Sequence, residues 1–254
     1  RDTSGRKQTA GANASQPVSG IGIALSINHQ EPATDDERDV AAAKRMDGLW
    51  NRLYLDPLFR GHYPEDILAW LDQAGILPDA IAKPQPEEMQ MISQETDFLG
   101  INYYTRNQVA WDPADRLLNA SAITPRLPVT AMGWEVYPEG LFKVLKRVSD
   151  DYTRIPLFIT ENGAAFDDSL PPDGSIVDDS ARVAYLSSHL DAAHRVCECG
   201  INLRGYYVWS LMDNFEWAQG YSKRFGLVHV DFQTQRRTPK RSALWYRDFI
   251  TSQR

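Results

Sequence analysis

Apolar and polar positions alternate along the chain between short apolar runs and longer stretches with one apolar face. Ile21 to Asn28 is the first apolar run and reads as a buried strand. From Asp35 to Leu55 the pattern turns helical, with Met46, Leu49, Trp50 and Leu53 on one face and Thr34 and Glu37 spaced as a capping box. A shorter helix follows Pro64, carrying Ile67, Leu68 and Leu71 and ending at Gly75. Phe98 to Tyr104 is the next strand. Residues 105–138 form a long, turn-rich excursion containing Trp111 and Trp134. Leu141, Val144, Leu145 and Val148 define a helix that leads into the apolar run Pro156 to Thr160. A Pro/Asp/Gly loop spans Asp167 to Gly174. A helix from about Asp178 to Cys199 turns Val183, Leu186, Leu190 and Ala193 inward and stops at Gly200. Gly205 to Leu211 is a fourth strand, and a second long loop covers Met212 to Phe225. Val228 to Phe232 is read as a hairpin arm and Ser242 to Ile250 as a closing helix.

The strand–helix rhythm repeats four times, which predicts an α/β fold with a parallel sheet and right-handed crossovers. Four units fit a small open sheet, or half of an eight-unit barrel that needs about 250 residues. The long aromatic loops favour the half-barrel. The third apolar run stops at Glu161, followed by Asn162 and Gly163. As in a parallel sheet, such a strand is expected to be covered on both faces. An acid where a strand opens into a loop occupies the place where α/β barrels keep their chemistry. Glu161 is therefore a candidate nucleophile; the alternative is a solvated or helix-capping glutamate.

Composition narrows the classes. Across 254 residues, 43% are hydrophobic and 24% charged, the balance of a globular chain. A net charge of -7 argues against a nucleic-acid or anionic-membrane partner. No apolar run reaches the roughly 20 residues of a membrane span. Cys197 and Cys199 lie two apart in a predicted helix and face different ways, which argues against a disulfide and suits a reducing compartment or indifference to redox; a cytoplasmic location is the expectation. No His, Cys or Asp grouping has metal spacing, and no glycine-rich motif suits a phosphate, so no metal or cofactor is expected. Asn13 and Asn119 head glycosylation sequons by pattern alone. Seven Trp and eleven Tyr concentrate near the loops, where rings suit the C–H faces of sugars; core filling is the alternative.

Several longer strings carry a resemblance. Phe98 to Thr105, Met132 to Pro138, Ile159 to Gly163, Trp209 to Trp217 and Lys223 to Val228 resemble the glycoside hydrolase family 1 β-glucosidases. The likeness runs from about Ile21 to the C-terminus. It implies half of a (β/α)8 TIM barrel, with these strands corresponding to the fifth to eighth. The family's acid/base motif, Asn-Glu-Pro, does not occur; Gln30-Glu31-Pro32 is the nearest string. The resemblance implies that residues 20–254 are the C-terminal half of one catalytic domain, with 1–19 a flexible polar segment beside the chain break. The expected partners are a β-glucoside substrate and the N-terminal half of the same enzyme as a separate chain.

Retaining glycosidases use two carboxyl groups about 5–5.5 Å apart, one as nucleophile and one as acid then base. By resemblance Glu161 is the nucleophile, Tyr104 orients it, and Asn102 stands near the acid/base. Trp209 implies a platform beneath the non-reducing sugar, Glu216 and Trp217 a clamp on its outer hydroxyls, and Phe225 a wall. Trp134 is expected to support the rim. The implied activity is release of terminal β-D-glucosyl residues from β-glucosides and cello-oligosaccharides. The alternative is a non-hydrolytic sugar-binding half-barrel or an inactive fragment.

Overall fold

The computed structural model describes residues 20–78, 81, 83–171 and 175–253. The Arg1–Ser19 segment with its Asn13 sequon, and the end of the Asp167–Gly174 loop, lie outside them. The elements run β1 (Gly22–Ser26), β2 (His29–Pro32), α1 (Glu37–Asp47), a π-helical turn (Gly48–Arg52), α2 (Leu53–Arg60), α3 (Glu65–Gln73) and α4 (Pro86–Ile92). They continue with β3 (Phe98–Asn102), β4 (Arg106–Trp111), β5 (Ala120–Ala122), α5 (Pro138–Asp151), β6 (Leu157–Asn162), α6 (Ser180–Glu198) and β7 (Leu203–Val208). A 3-10 turn (Trp217–Gln219), β8 (Val228–Val230), β9 (Arg237–Pro239) and α7 (Arg241–Ser252) complete the described part.

The main sheet is parallel, in the order β1-β3-β6-β7. That order follows the chain, so every crossover lies on the same face, as in a barrel wall. Leu99, Ile101, Leu157 and Ile159 point to that face and meet Leu141, Val144, Leu145 and Val148 of α5 and Val196 of α6. The opposite face carries Phe98 and Phe158, edge-on at 5.5 Å, and is half-exposed. The expectation that the Glu161 strand is covered on both faces therefore fails: β6 is packed on one side only. The sheet does not close into a barrel, and β1 and β7 are its edges.

Two further expectations change. The helix expected over 35–55 breaks at the π turn, whose extra residue per turn shifts the helix face. Trp50, expected inward, is 58% exposed, while Asn51 is buried and donates through Nδ2 to the Asn28 carbonyl at 2.8 Å. The Thr34–Glu37 capping box is replaced by Asp36, whose side chain accepts from the Arg38 N–H at 2.9 Å. The turn-rich excursion is partly ordered. There β4 pairs parallel with β2 and antiparallel with β5 in a second sheet, packed on α1 through Ala42, Ala43 and Val109. The chain of β2 and β4 is mostly polar, so no alternation announces it.

Candidate active site

The carboxyl ends of β3, β6 and β7 converge on one rim. Asn102 and Tyr104, two apart, face the inner side, while Tyr103 between them is fully buried against the helices. In β6 simple alternation would turn Glu161 toward the helices, because Ile159 already points there. The pairing shifts register between Ile101 and Asn102 on one side and between Ile159 and Asn162 on the other. Such irregularities re-aim side chains. Thr160 and Glu161 consequently both reach inner-side partners, and Asn162 turns into the core. Thr160 Oγ1 donates to Asn102 Oδ1 at 2.6 Å, and the Tyr104 hydroxyl donates to Glu161 Oε2 at 2.6 Å.

A polar frame holds this end of β6. Asn162 is fully buried and donates to the Tyr103 carbonyl at 2.7 Å and the Tyr185 hydroxyl at 3.0 Å. The Tyr206 hydroxyl donates to its Oδ1, and the Tyr185 hydroxyl reaches the Tyr104 carbonyl at 3.2 Å. Gly163 allows the close approach of β7, since a Cβ there would lie 1.8 Å from the Trp209 carbonyl oxygen. The Trp209–Ser210 peptide that follows is cis.

Burial raises the Tyr104 hydroxyl pKa, and its bond to Glu161 and that carboxylate's charge raise it further, so it stays a neutral donor. Burial also raises the Glu216 carboxyl, with the charge of Glu161 adding and a hydrogen bond from Trp209 opposing. Glu161, Trp209 and Glu216 therefore belong to one electrostatic site. Around Tyr104 stand Trp134, with ring centroids 5.3 Å apart, and Phe225 at 6.2 Å. Trp134 and Phe225 are themselves 6.2 Å apart, and Phe225 is buried. Trp217 follows Glu216 but is 82% exposed, with a positive φ of 39°. The structure thus brings Asn102, Tyr104, Glu161, Trp209, Glu216 and Phe225 to one rim and leaves Trp217 projecting from it.

Sequence reasoning missed the residues beneath the rim: Asn162, Tyr185, Tyr206, and the buried charges Asp213, Arg182 and Lys240. Arg182 offered a signal, as a charge on the apolar stripe of α6 beside Leu186 and His189. His189 is buried and stacks on Tyr185 at 3.9 Å. Among the described residues no group of three or more His, Cys, Asp or Glu is placed to hold a metal ion. No helix among them is long and apolar enough to cross a membrane.

The chain is also similar to known proteins. The chain is 44% identical over 231 residues to a 1,4-beta-D-glucan glucohydrolase of Thermotoga neapolitana, covering 91% of this chain and 50% of that protein. It is 43% identical over 231 residues to Beta-glucosidase A of Thermotoga maritima, with the same coverage. The crystal structure of a β-glucosidase from Exiguobacterium antarcticum superposes with a TM-score of 0.86 at 39% identity, over 92% of this chain and 51% of that one. The chain thus spans about half the length of the relatives it matches, and it corresponds to their C-terminal half. The sequence profile of glycosyl hydrolase family 1 matches residues 6–254, and the chain belongs to that family.

Proposed function

We propose that residues 20–254 form the nucleophile-bearing half of a single retaining β-glucosidase domain. Its substrates are β-glucosides and cello-oligosaccharides, from which it releases terminal non-reducing β-D-glucosyl residues. The observation that carries this reading is the 2.6 Å hydrogen bond from Tyr104 to Glu161 at the end of β6, with Trp209, Glu216 and Phe225 around it. Glu161 attacks the anomeric carbon as the glycosidic C–O bond breaks, and the aglycone leaves as an alcohol with the acid/base proton. Water, deprotonated by the same acid/base, then displaces Glu161 from the sugar. Tyr104 donates to one oxygen of the carboxylate and holds its orientation. Trp209 supports the sugar face. Glu216 and Trp217 bind its outer hydroxyls, and a carboxylate there repels a phosphorylated sugar. The acid/base carboxyl comes from the N-terminal half of the barrel, whose strands cover the β1 and β7 edges. Exposed Ile21, Tyr207 and Leu211 along or just beyond those strands fit such a junction.

The test combines this chain with an N-terminal fragment carrying the Asn-Glu-Pro motif and assays an aryl β-glucoside. Hydrolysis is expected in the mixture, together with a glucosyl adduct on the peptide containing Glu161, and Glu161→Ala should abolish both. A mixture that binds glucose and leaves the β-glucoside intact would instead establish the sugar-binding reading.

A further inference from the structure

Six charged side chains form a balanced cluster directly behind the rim: Asp168, Asp179 and Asp213 against Arg182, Arg224 and Lys240. Arg182 and Lys240 are 0% exposed. Lys240 Nζ donates to Asp168 Oδ2 at 2.6 Å and to Asp213 Oδ1 at 2.8 Å. Arg182 pairs with Asp168 at 2.6 Å and with Asp179, and Arg224 pairs with Asp213 at 2.6 Å. The Arg182 guanidinium also reaches the Ala164 carbonyl at 3.2 Å and the Arg224 carbonyl at 2.7 Å. The cluster joins the segment after β6, the start of α6, the loop after β7 and the start of α7.

Buried ion pairs add little stability over apolar packing of the same shape, so their value lies in geometry. Here the geometry closes a loop. Asp213 accepts from the Gly226 N–H at 2.9 Å and from the Val230 N–H at 3.3 Å. Its own N–H reaches the Val228 carbonyl at 3.0 Å. A Cβ at Gly226 would sit 2.1 Å from the Asp213 nitrogen, so the two ends of the loop touch. Between them lie Glu216, Trp217 and Phe225. The crown of that loop is exposed at Phe215, Trp217 and Tyr221, and its ring contacts run from Tyr221 to Phe215 at 5.5 Å and back to Phe232 near the base at 4.5 Å. Its direction is set from its base.

We propose that Asp213, held between Lys240 and Arg224, is the positioning residue of the sugar-facing loop and thereby sets recognition of the outer hydroxyls. The inference rests on the reading of Glu216 and Trp217 as the hydroxyl clamp. Asp213 touches no substrate; it acts through Glu216 and Trp217. A merely structural role would lower turnover of every substrate alike, whereas a positioning role shows only where the outer hydroxyls are present.

The experiment compares the parent and Asp213→Asn, each combined with the N-terminal half, on an aryl β-glucoside and on its 4-deoxy and 6-deoxy analogues. Loss of a charge-assisted contact predicts a fall in kcat/KM on the glucoside of roughly tenfold or more. On the deoxy analogues the fall should be under about threefold. Amide exchange should quicken across 213–226 and stay unchanged in β6. If Asp213→Asn does not fold, Lys240→Met takes its place, leaving the Asp213 bonds to Gly226 and Val230 intact. Equal losses on all substrates with an active parent, or unchanged exchange in the loop, overturn the positioning role alone. A parent inactive on every substrate overturns the glycosidase reading and this inference with it.

Discussion

Glu161 and Glu216 share one rim but are held by different means. Glu161 ends a strand that is paired on both sides, and its only degree of choice is taken up by Tyr104. Glu216 rides on a loop whose crown is exposed, and its carboxyl accepts a hydrogen bond from Trp209. The sheet determines the first group through many backbone bonds that no single side chain controls. The second depends on a few charged contacts at the foot of its loop. On the proposed function, a site built this way places its nucleophile rigidly and leaves its hydroxyl clamp tunable by substitutions far from the sugar.

Substitutions can break or sharpen that contrast, each measured on the complex with the N-terminal half. The largest effect is expected from Glu161→Gln, which should lower kcat by roughly 10⁴-fold or more, the scale of losing a nucleophile. Next comes Glu216→Ala, which removes an acceptor of charge-assisted bonds. It should reduce kcat/KM on an aryl β-glucoside by roughly 10²-fold and barely affect an analogue without outer hydroxyls. Tyr104→Phe deletes one bond to Glu161 but leaves the strand intact, so a loss of about tenfold in kcat is expected. If Tyr104→Phe cost more than Glu216→Ala, the sheet would not be what places Glu161.

The smallest effect is a stability linkage at Glu216. Its carboxyl is raised by burial first and by Glu161 second. A raised folded-state value means the folded chain binds the proton more tightly than the unfolded one. The cost to folding is therefore present at neutral pH and relieved as pH falls through the raised value toward the ordinary carboxylate range. Urea unfolding at a series of pH values should show Glu216→Gln gaining on the parent at neutral pH, with the gain shrinking on acidification. A pH-independent difference would mean that Glu216 is solvated and not part of the site.

Much of the wall was legible because burial follows local periodicity. Leu141, Val144, Leu145 and Val148 fall on one helix face and are all buried. The runs around Leu99, Ile101, Leu157 and Ile159 form the covered side of the sheet. Gly75 and Gly200 adopt positive φ where the helices end, as their positions after the last apolar residue predict. The juxtaposition of Tyr104 with Glu161 was accessible only through resemblance, since nothing local joins residues so far apart in the chain. Three features stayed invisible. In the β2–β4–β5 sheet, β2 and β4 are mostly polar and far apart in the chain, and only β4 and β5 pair locally. The π turn shifts a face that a uniform helical period cannot anticipate. The ion cluster draws Asp168, Arg182, Asp213 and Lys240 from separate segments, and apart from Arg182 on its apolar stripe each taken singly reads as an ordinary surface charge.

The strand order of the main sheet bears on how the chain is made as well as how it works. Each strand pairs with the unit synthesised just before it, so β3 meets an edge left by β1, β6 meets one left by β3, and β7 meets one left by β6. Growth of this kind is vectorial, because every new segment leaving the ribosome finds a template already in place and need not wait for a distant partner. The rim matures in the same direction. Asn102 and Tyr104 are laid down first, Glu161 is set against them, and the loop bearing Glu216 arrives last. Its base is locked only when Lys240 emerges.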